Sequence, residues 1–247
     1  MKPGLAIVHV VSPESGSLGR ARGFLTESEI ARAASFRFPE HEEQWTGFRA
    51  GLRRILGEAI GLPPRDVPIS LTALGKPVLD QPFAHLHFSL SHCSDLALIA
   101  LSTDGNVGVD LEPVARARDL DGCESTFCHP DEIAALPPEP TLRSRRMLEI
   151  WTAKEAVLKS LGTGFTHPPE SVRIRFGTTI STADSAGNMP GMDAQVLHRL
   201  DHPALRDHIA MLSTAASVDR IEIVDHRAST SAPPSTKIPA SSIPNDG

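Results

Sequence analysis

The segment Val107-Gly108-Val109-Asp110-Leu111-Glu112-Pro113 constrains this chain more than any other, because its alternation fits only an extended strand with two unlike faces. Val107, Val109 and Leu111 share one face and need a core. Gly108, Asp110 and Glu112 share the other, where the glycine is expected to leave room for a ligand to approach the backbone. About forty residues on, Glu149-Ile150-Trp151-Thr152-Ala153-Lys154-Glu155-Ala156-Val157-Leu158-Lys159 reads as a helix. Glu155 and Lys159 are four apart and therefore neighbours on its surface. Three carboxylates and a lysine on two rigid elements are enough to hold a hard cation and move a phosphate. Plainer readings exist for each segment alone: the wet face of an edge strand for the first, a surface ion pair for the second.

The 247 residues allow one large domain or two small ones, and 40% hydrophobic content supplies a core although tyrosine is absent. A net charge of −6 argues against a nucleic-acid binder. Residues 1–11 are apolar but lack a following small-residue cleavage site, so they read as a first strand; a signal peptide is the alternative. No apolar run approaches a membrane span, and the expectation is a soluble, cytoplasmic, monomeric protein. Cys93, Cys123 and Cys128 are an odd count without metal-finger spacing. Cys128-His129 beside Cys123 lacks a fourth ligand for zinc. The three are expected to be small thiols in a reducing compartment.

Residues 26–61 read as helical, opening on the capping box Thr26-Glu27-Ser28-Glu29. A break falls at Pro39, and the longer second helix carries Trp45, Phe48, Leu52, Ile55, Leu56 and Ile60 before Gly61-Leu62-Pro63-Pro64 stops it. Short strands follow at 69–71, 77–79, 86–90, 96–101 and 107–111. The Asp104-Gly105 turn predicts a hairpin between the last two, making 86–111 an antiparallel meander. A short helix is expected around 131–136. The helix 145–161 follows, with Met147, Leu148, Trp151, Leu158 and Leu161 as its buried stripe and Gly162 as its cap. Strands are expected at 171–176 and 208–215, no clear element in 177–195, and a disordered Ser/Pro/Ala-rich tail at 227–247.

Gly75-Lys76-Pro77, Phe88-Ser89-Leu90-Ser91-His92, the Gly-x-Asp-x-Glu strand and Trp-x-x-Lys-Glu-x-x-x-Lys occur in an order and at spacings that resemble the 4′-phosphopantetheinyl transferase superfamily, in its Sfp-type, pseudo-dimeric branch. The resemblance spans roughly residues 29–165. It implies an α+β fold of two similar halves, each a small antiparallel sheet on a long helix, with the site at their interface. The halves would be 1–105 and 106–226, the tail 227–247. It implies transfer of the phosphopantetheine arm of coenzyme A to a serine of an apo acyl, peptidyl or aryl carrier protein, releasing adenosine 3′,5′-bisphosphate. By resemblance, Asp110, Glu112 and Glu155 would ligate Mg²⁺, with Mn²⁺ as the alternative ion, and Glu155 would take the serine proton. Lys159 would stabilise the leaving phosphate, with Lys154 assisting from the flank. Lys76, Ser91, His92 and Arg32 would contact the nucleotide, with Arg49 a weaker candidate. Glu132 matches an acidic position of accessory role. Glu29 stands where relatives often carry a basic residue, and 41–44 is acidic for a neighbour of a triphosphorylated cofactor. Arg116, Arg118, Arg143, Arg145 and Arg146 are candidates to receive a carrier's acidic helix.

Three rival readings fit the residues less well. A Mg²⁺-dependent nuclease needs a basic stripe that is missing here. A Ser91-His92-Asp110 hydrolase lacks the Gly-x-Ser-x-Gly elbow, and adjacent strand residues point apart. A degenerate carrier binder would not need to keep three carboxylates and Lys159.

Overall fold

The computed structural model describes residues 1–13, 18–93, 95–176, 181–184, 191 and 195–227. In chain order it contains β1 (Leu5–Val11), α1 (Leu18–Gly23), α2 (Glu27–Ala34), α3 (Pro39–Ile60), β2 (Ile69–Leu71), β3 (Pro77–Leu79), β4 (His87–His92), β5 (Ala97–Ser102) and β6 (Val107–Pro113). Then come α4 (Glu124–Phe127), α5 (Pro130–Ala134), α6 (Pro140–Leu161), β7 (Val172–Arg175), β8 (Ser181–Asp184), β9 (Gln195–Arg199), β10 (His208–Ala215) and β11 (Arg220–Asp225). The fold is α+β with several small sheets.

Two sheets carry the architecture: one ordered β11-β1-β5-β4, the other β6-β10-β9. They face each other across a core built from Val8, Val10, Leu98, Val109 and Leu212. Alternation decides what covers the outer faces. In β5, Leu98 and Ala100 enter that shared core, while Ala97, Ile99 and Leu101 pack beneath α3 with Phe48, Leu52 and Ile55. In β10, Ala210 and Leu212 turn inward, while Ile209 and Met211 meet Ala153 and Val157 of α6. Strands buried on both faces explain the unbroken apolar run of β5.

The capping box forms as expected: Thr26 accepts from the Glu29 amide, and Glu29 accepts from the Thr26 amide. α3 and α6 are each 22 residues long, open on a proline in the first turn and close on a left-handed glycine, Gly61 at φ 74° and Gly162 at φ 71°. α6 begins five residues before the expected Arg145, because Pro140 and the Glu139 carboxylate supply its start: Glu139 accepts from the amides of Thr141 and Leu142.

The expected meander is corrected. β4 and β5 pair antiparallel, but β6 leaves for the second sheet and pairs with β10. Both edges of β5 are already taken, by β1 and by β4, so no edge remains for β6. The Asp104-Gly105 turn, with Gly105 at φ 122°, therefore carries the chain between layers. β11 was not foreseen; it pairs parallel to β1, so the first sheet draws on both ends of the described chain. Most of 177–194 and all of 228–247 lie outside the described residues, and with them nearly all of the expected tail. Among the described residues, no helix is long and apolar enough to cross a membrane.

Candidate active site

Although β4 and β6 belong to different sheets, they lie side by side at one seam. The Val109 amide donates to Ser89 Oγ at 3.1 Å, and Ser91 Oγ donates to Asp110 Oδ1 at 2.8 Å. The face of β6 bearing Gly108, Asp110 and Glu112 looks at α6. A Cβ on Gly108 would lie 2.0 Å from the Ala156 carbonyl oxygen and 2.3 Å from the Ser160 amide nitrogen. The glycine thus admits the helix backbone and not a ligand, which corrects the sequence-based expectation. That close approach places Glu155 and Lys159 over the two strand carboxylates.

Here a cleft of about 630 Å³ opens, lined by Ser91, His92, Asp110, Glu112, Glu155 and Lys159 together with Cys93, Arg116 and Trp151. Lys159 Nζ pairs with Asp110 Oδ1 at 2.6 Å and lies 3.2 Å from Ser91 Oγ. Asp110 is buried, and its Oδ2 has no hydrogen-bond partner. Glu112 is held from two sides, by the Trp151 indole N–H at 3.3 Å and by the Arg116 guanidinium at 2.7 Å. Glu155 has no hydrogen bond or ion pair among the described residues. Burial first, then the Asp110 charge, pushes its carboxyl up to about 7, against the opposing pull of Lys159. His92 stacks on Phe48 with ring centroids 5.0 Å apart. Burial and the Lys159 charge hold its imidazole below the usual range, so it is neutral at pH 7.

The donor set of Asp110, Glu112 and Glu155 is all oxygen, which suits a hard divalent cation. The unpartnered, buried Asp110 Oδ2 fits the same purpose, because a carboxylate oxygen kept from water without a partner is costly unless a ligand answers it. The three do not stand at ligation distance from one another. Among the described residues only Cys93, Asp95 and His208 bring ligand atoms within 4.8 Å of each other as a trio. Three carboxylates repel, and two of these have taken cationic neighbours instead.

Other candidates sit elsewhere. Lys154 is fully buried on the far side of α6, paired to Glu132 at 2.7 Å and donating to the Phe127 and Pro169 carbonyls. Glu132 also accepts from the amides of His129 and Ile174. The pair fastens α5 and β7 to α6 and cannot reach the cleft. Lys154→Ala strands the buried Glu132 charge and should lower stability by about 3–5 kcal/mol. Urea denaturation reads that loss, while ligand affinity at the cleft should stay unchanged.

Lys76 Nζ donates to the Ser160 carbonyl at 2.7 Å, near the C-terminal end of α6 and outside the cleft lining. Arg32 is exposed, with its guanidinium 5.8 Å from the Phe36 ring centroid. Arg49 is taken by Glu29, which also accepts from Arg53 at 2.5 Å, so the unexpected acid anchors a buried ionic cluster joining α2 to α3. The contacts of Trp151 and Arg116 with Glu112 go beyond the sequence-based expectation, although Trp151 precedes Glu155 by one helical turn and Arg116 follows Glu112 by four residues.

Comparison with known proteins bears on the same segments. The family model described as the 4′-phosphopantetheinyl transferase superfamily matches residues 106–186, which include both β6 and α6. The chain is 38% identical over 143 residues to the 4′-phosphopantetheinyl transferase HetI of Nostoc sp., covering 57% of this chain and 60% of that protein. It is 30% identical over 145 residues to a putative 4′-phosphopantetheinyl transferase of Synechocystis sp., covering 58% and 59%. With a phosphopantetheinyl transferase of Thraustochytrium sp. it shares 26% identity over 166 residues, covering 62% and 58%. The matched part of this chain thus spans no more than 60% of the length of each of these relatives.

Proposed function

We propose, from the match of residues 106–186 to the 4′-phosphopantetheinyl transferase superfamily, that the protein transfers 4′-phosphopantetheine from coenzyme A to a serine of an apo carrier protein. The observation that carries the reading is the meeting of Asp110, Glu112, Glu155 and Lys159 in one cleft, with one carboxylate oxygen buried and unpartnered. Asp110, Glu112 and Glu155 would hold Mg²⁺, or Mn²⁺ in its place. A divalent ion held there would supply positive charge to offset that of the pyrophosphate.

The chain's own groups have distinct tasks. Glu155, the cleft carboxylate without an ion pair among the described residues, receives the proton of the attacking serine hydroxyl. The serine oxygen bonds to the phosphorus that bears the pantetheine arm, and adenosine 3′,5′-bisphosphate departs. Lys159 turns its charge toward the leaving phosphate, where it counts most as that bond breaks. Trp151 and Arg116 orient Glu112. Ser91 and His92 form the wall against which the nucleotide lies, with Arg32 as an outer basic contact.

Lys76 belongs to the nucleotide as well. Burial lowers its ammonium to about 8, and only a backbone carbonyl answers its charge among the described residues. A half-buried cation without an anion is a place for a phosphate. Below pH 8 Lys76 is protonated and binds the anion; above it the charge is lost. The Michaelis constant for coenzyme A should therefore rise between pH 7.5 and about 9. Lys76→Ala should start about tenfold higher and stay flat across that window. Steady-state kinetics at saturating carrier checks both.

We read the chain as two similar halves, 1–105 and 106–226, acting as a monomer in the cytoplasm; α3 and α6, equal in length, each opening on a proline, closing on a left-handed glycine and laid on its own sheet, support the two halves. Intact-mass spectrometry of a panel of apo carriers, incubated with the protein, coenzyme A and Mg²⁺, tests the function. Gain of one phosphopantetheine on a serine is expected. No gain on any acyl, peptidyl or aryl carrier would overturn the reading.

A further inference from the structure

We propose that Cys93, Asp95 and His208 form a second metal site, selective for a borderline-soft ion such as Zn²⁺ and separate from the carboxylate centre. Cys93 follows the end of β4, Asp95 lies in the turn before β5, and His208 opens β10. The strand register explains how they meet. His208 stands opposite Pro113 at the end of β6, and β4 runs beside β6 at the seam. One ligand atom from each residue lies within 4.8 Å of the other two. A sulfur, an imidazole nitrogen and a carboxylate oxygen form a donor set that Zn²⁺ accepts at about 2.0–2.3 Å and that Mg²⁺ does not favour. Three protein ligands with a fourth position left to water match a zinc site open to solvent.

A second observation points to a ligand. His208 Nδ1 is buried and has no hydrogen-bond partner. An imidazole nitrogen shut away from water is expected to be bonded, and a metal at this ring would account for the side chain's setting. The Cys93 thiol makes a long 3.7 Å contact to the Leu96 carbonyl and also interacts with the backbone of Asp95 and Leu96. On binding, the metal takes the thiolate and the Cys93 proton passes to solvent. Burial, then the Asp95 and Glu112 charges, hold the Cys93 thiol above its usual range, so the negative groups around it favour an added cation. Cys93 lines the cleft beside His92, so a filled site would tie the β4–β5 turn to β10 and stiffen the wall on which the nucleotide lies.

Co²⁺ titration of the full chain, in place of Zn²⁺, tests this. One equivalent should produce a near-ultraviolet thiolate-to-cobalt band with the visible bands of a four-coordinate ion, and excess Mg²⁺ should leave both unchanged. Cys93→Ser should remove the thiolate band. Asp95→Asn and His208→Gln should weaken Co²⁺ binding about tenfold or more, with circular dichroism confirming that each variant is folded. Should His208→Gln fail to fold, Cys93→Ser and Asp95→Asn decide the matter. A titration without a thiolate band overturns the proposal. So does a band that survives Cys93→Ser, which assigns it to Cys123 or Cys128, or one that Asp110→Asn removes, which assigns it to the carboxylate centre.

Discussion

Glu155→Gln should reduce transfer by about 10²- to 10⁴-fold, the range expected for loss of a positioned base, while making the protein more stable above pH 7. The two effects have one cause. In the folded chain Glu155 is pushed up from 4.5 to about 7, first by burial and then by Asp110. Between those values the folded state binds more protons than the unfolded state, so stability falls as pH rises through the window. Above about 7 the whole penalty is present; below about 4.5 it vanishes. Glutamine keeps the shape and removes the charge, so the variant's melting temperature should exceed that of the wild type at pH 8 and match it near pH 4. A surface ion pair with Lys159 predicts the reverse, a slightly less stable and fully active variant. Thermal melts at the two pH values, beside carrier modification followed by mass, separate the cases. Near wild-type transfer by Glu155→Gln would refute the role given to this residue.

The parts of the site written in local periodicity were legible in the sequence. Period two placed Asp110 and Glu112 on one face of β6, and the i, i+4 relation placed Glu155 and Lys159 together on α6. The same rule was open to use on Trp151, one turn before Glu155, but its bulk and apolar neighbours assigned it to the buried stripe. Lys154 was misplaced because adjacency in sequence is not adjacency on a helix: about 100° separates it from Glu155, which is enough to bury it against Glu132. Non-local choices were harder. An Asp-Gly turn announces a reversal without saying whether the outgoing strand pairs with the incoming one, and β5 had no free edge to offer. The parallel pairing of β11 with β1, and the approach of His208 to Cys93, rest on sheet order, for which no short-range pattern exists.

Gly108→Ala should be the most damaging single methyl group in the molecule. The added carbon would stand 2.0 Å from the Ala156 carbonyl oxygen, 2.3 Å from the Ser160 nitrogen and 2.9 Å from the Ser160 Cα. All three are backbone atoms of the last two turns of α6, so no side-chain rotation relieves the overlap. Either α6 or β6 must retreat, and each is pinned elsewhere: β6 by its ladder to β10, α6 by Ala153 and Val157 packed on Ile209 and Met211. Overpacking usually costs about 1–3 kcal/mol, and a backbone clash this close belongs above that range. The loss should exceed about 3 kcal/mol by urea denaturation, enough to leave much of the protein unfolded at 37 °C if its stability is ordinary. Whatever folds should transfer poorly, because moving α6 outward lifts Glu155 and Lys159 from Asp110, and a displacement near 1 Å at reacting groups is expensive. If Gly108 instead served to admit a ligand to the strand, alanine would leave stability intact and raise only the Michaelis constant. A Gly108→Ala protein with wild-type stability would therefore show that β6 and α6 do not touch at Gly108, and that the four site residues meet in some other way.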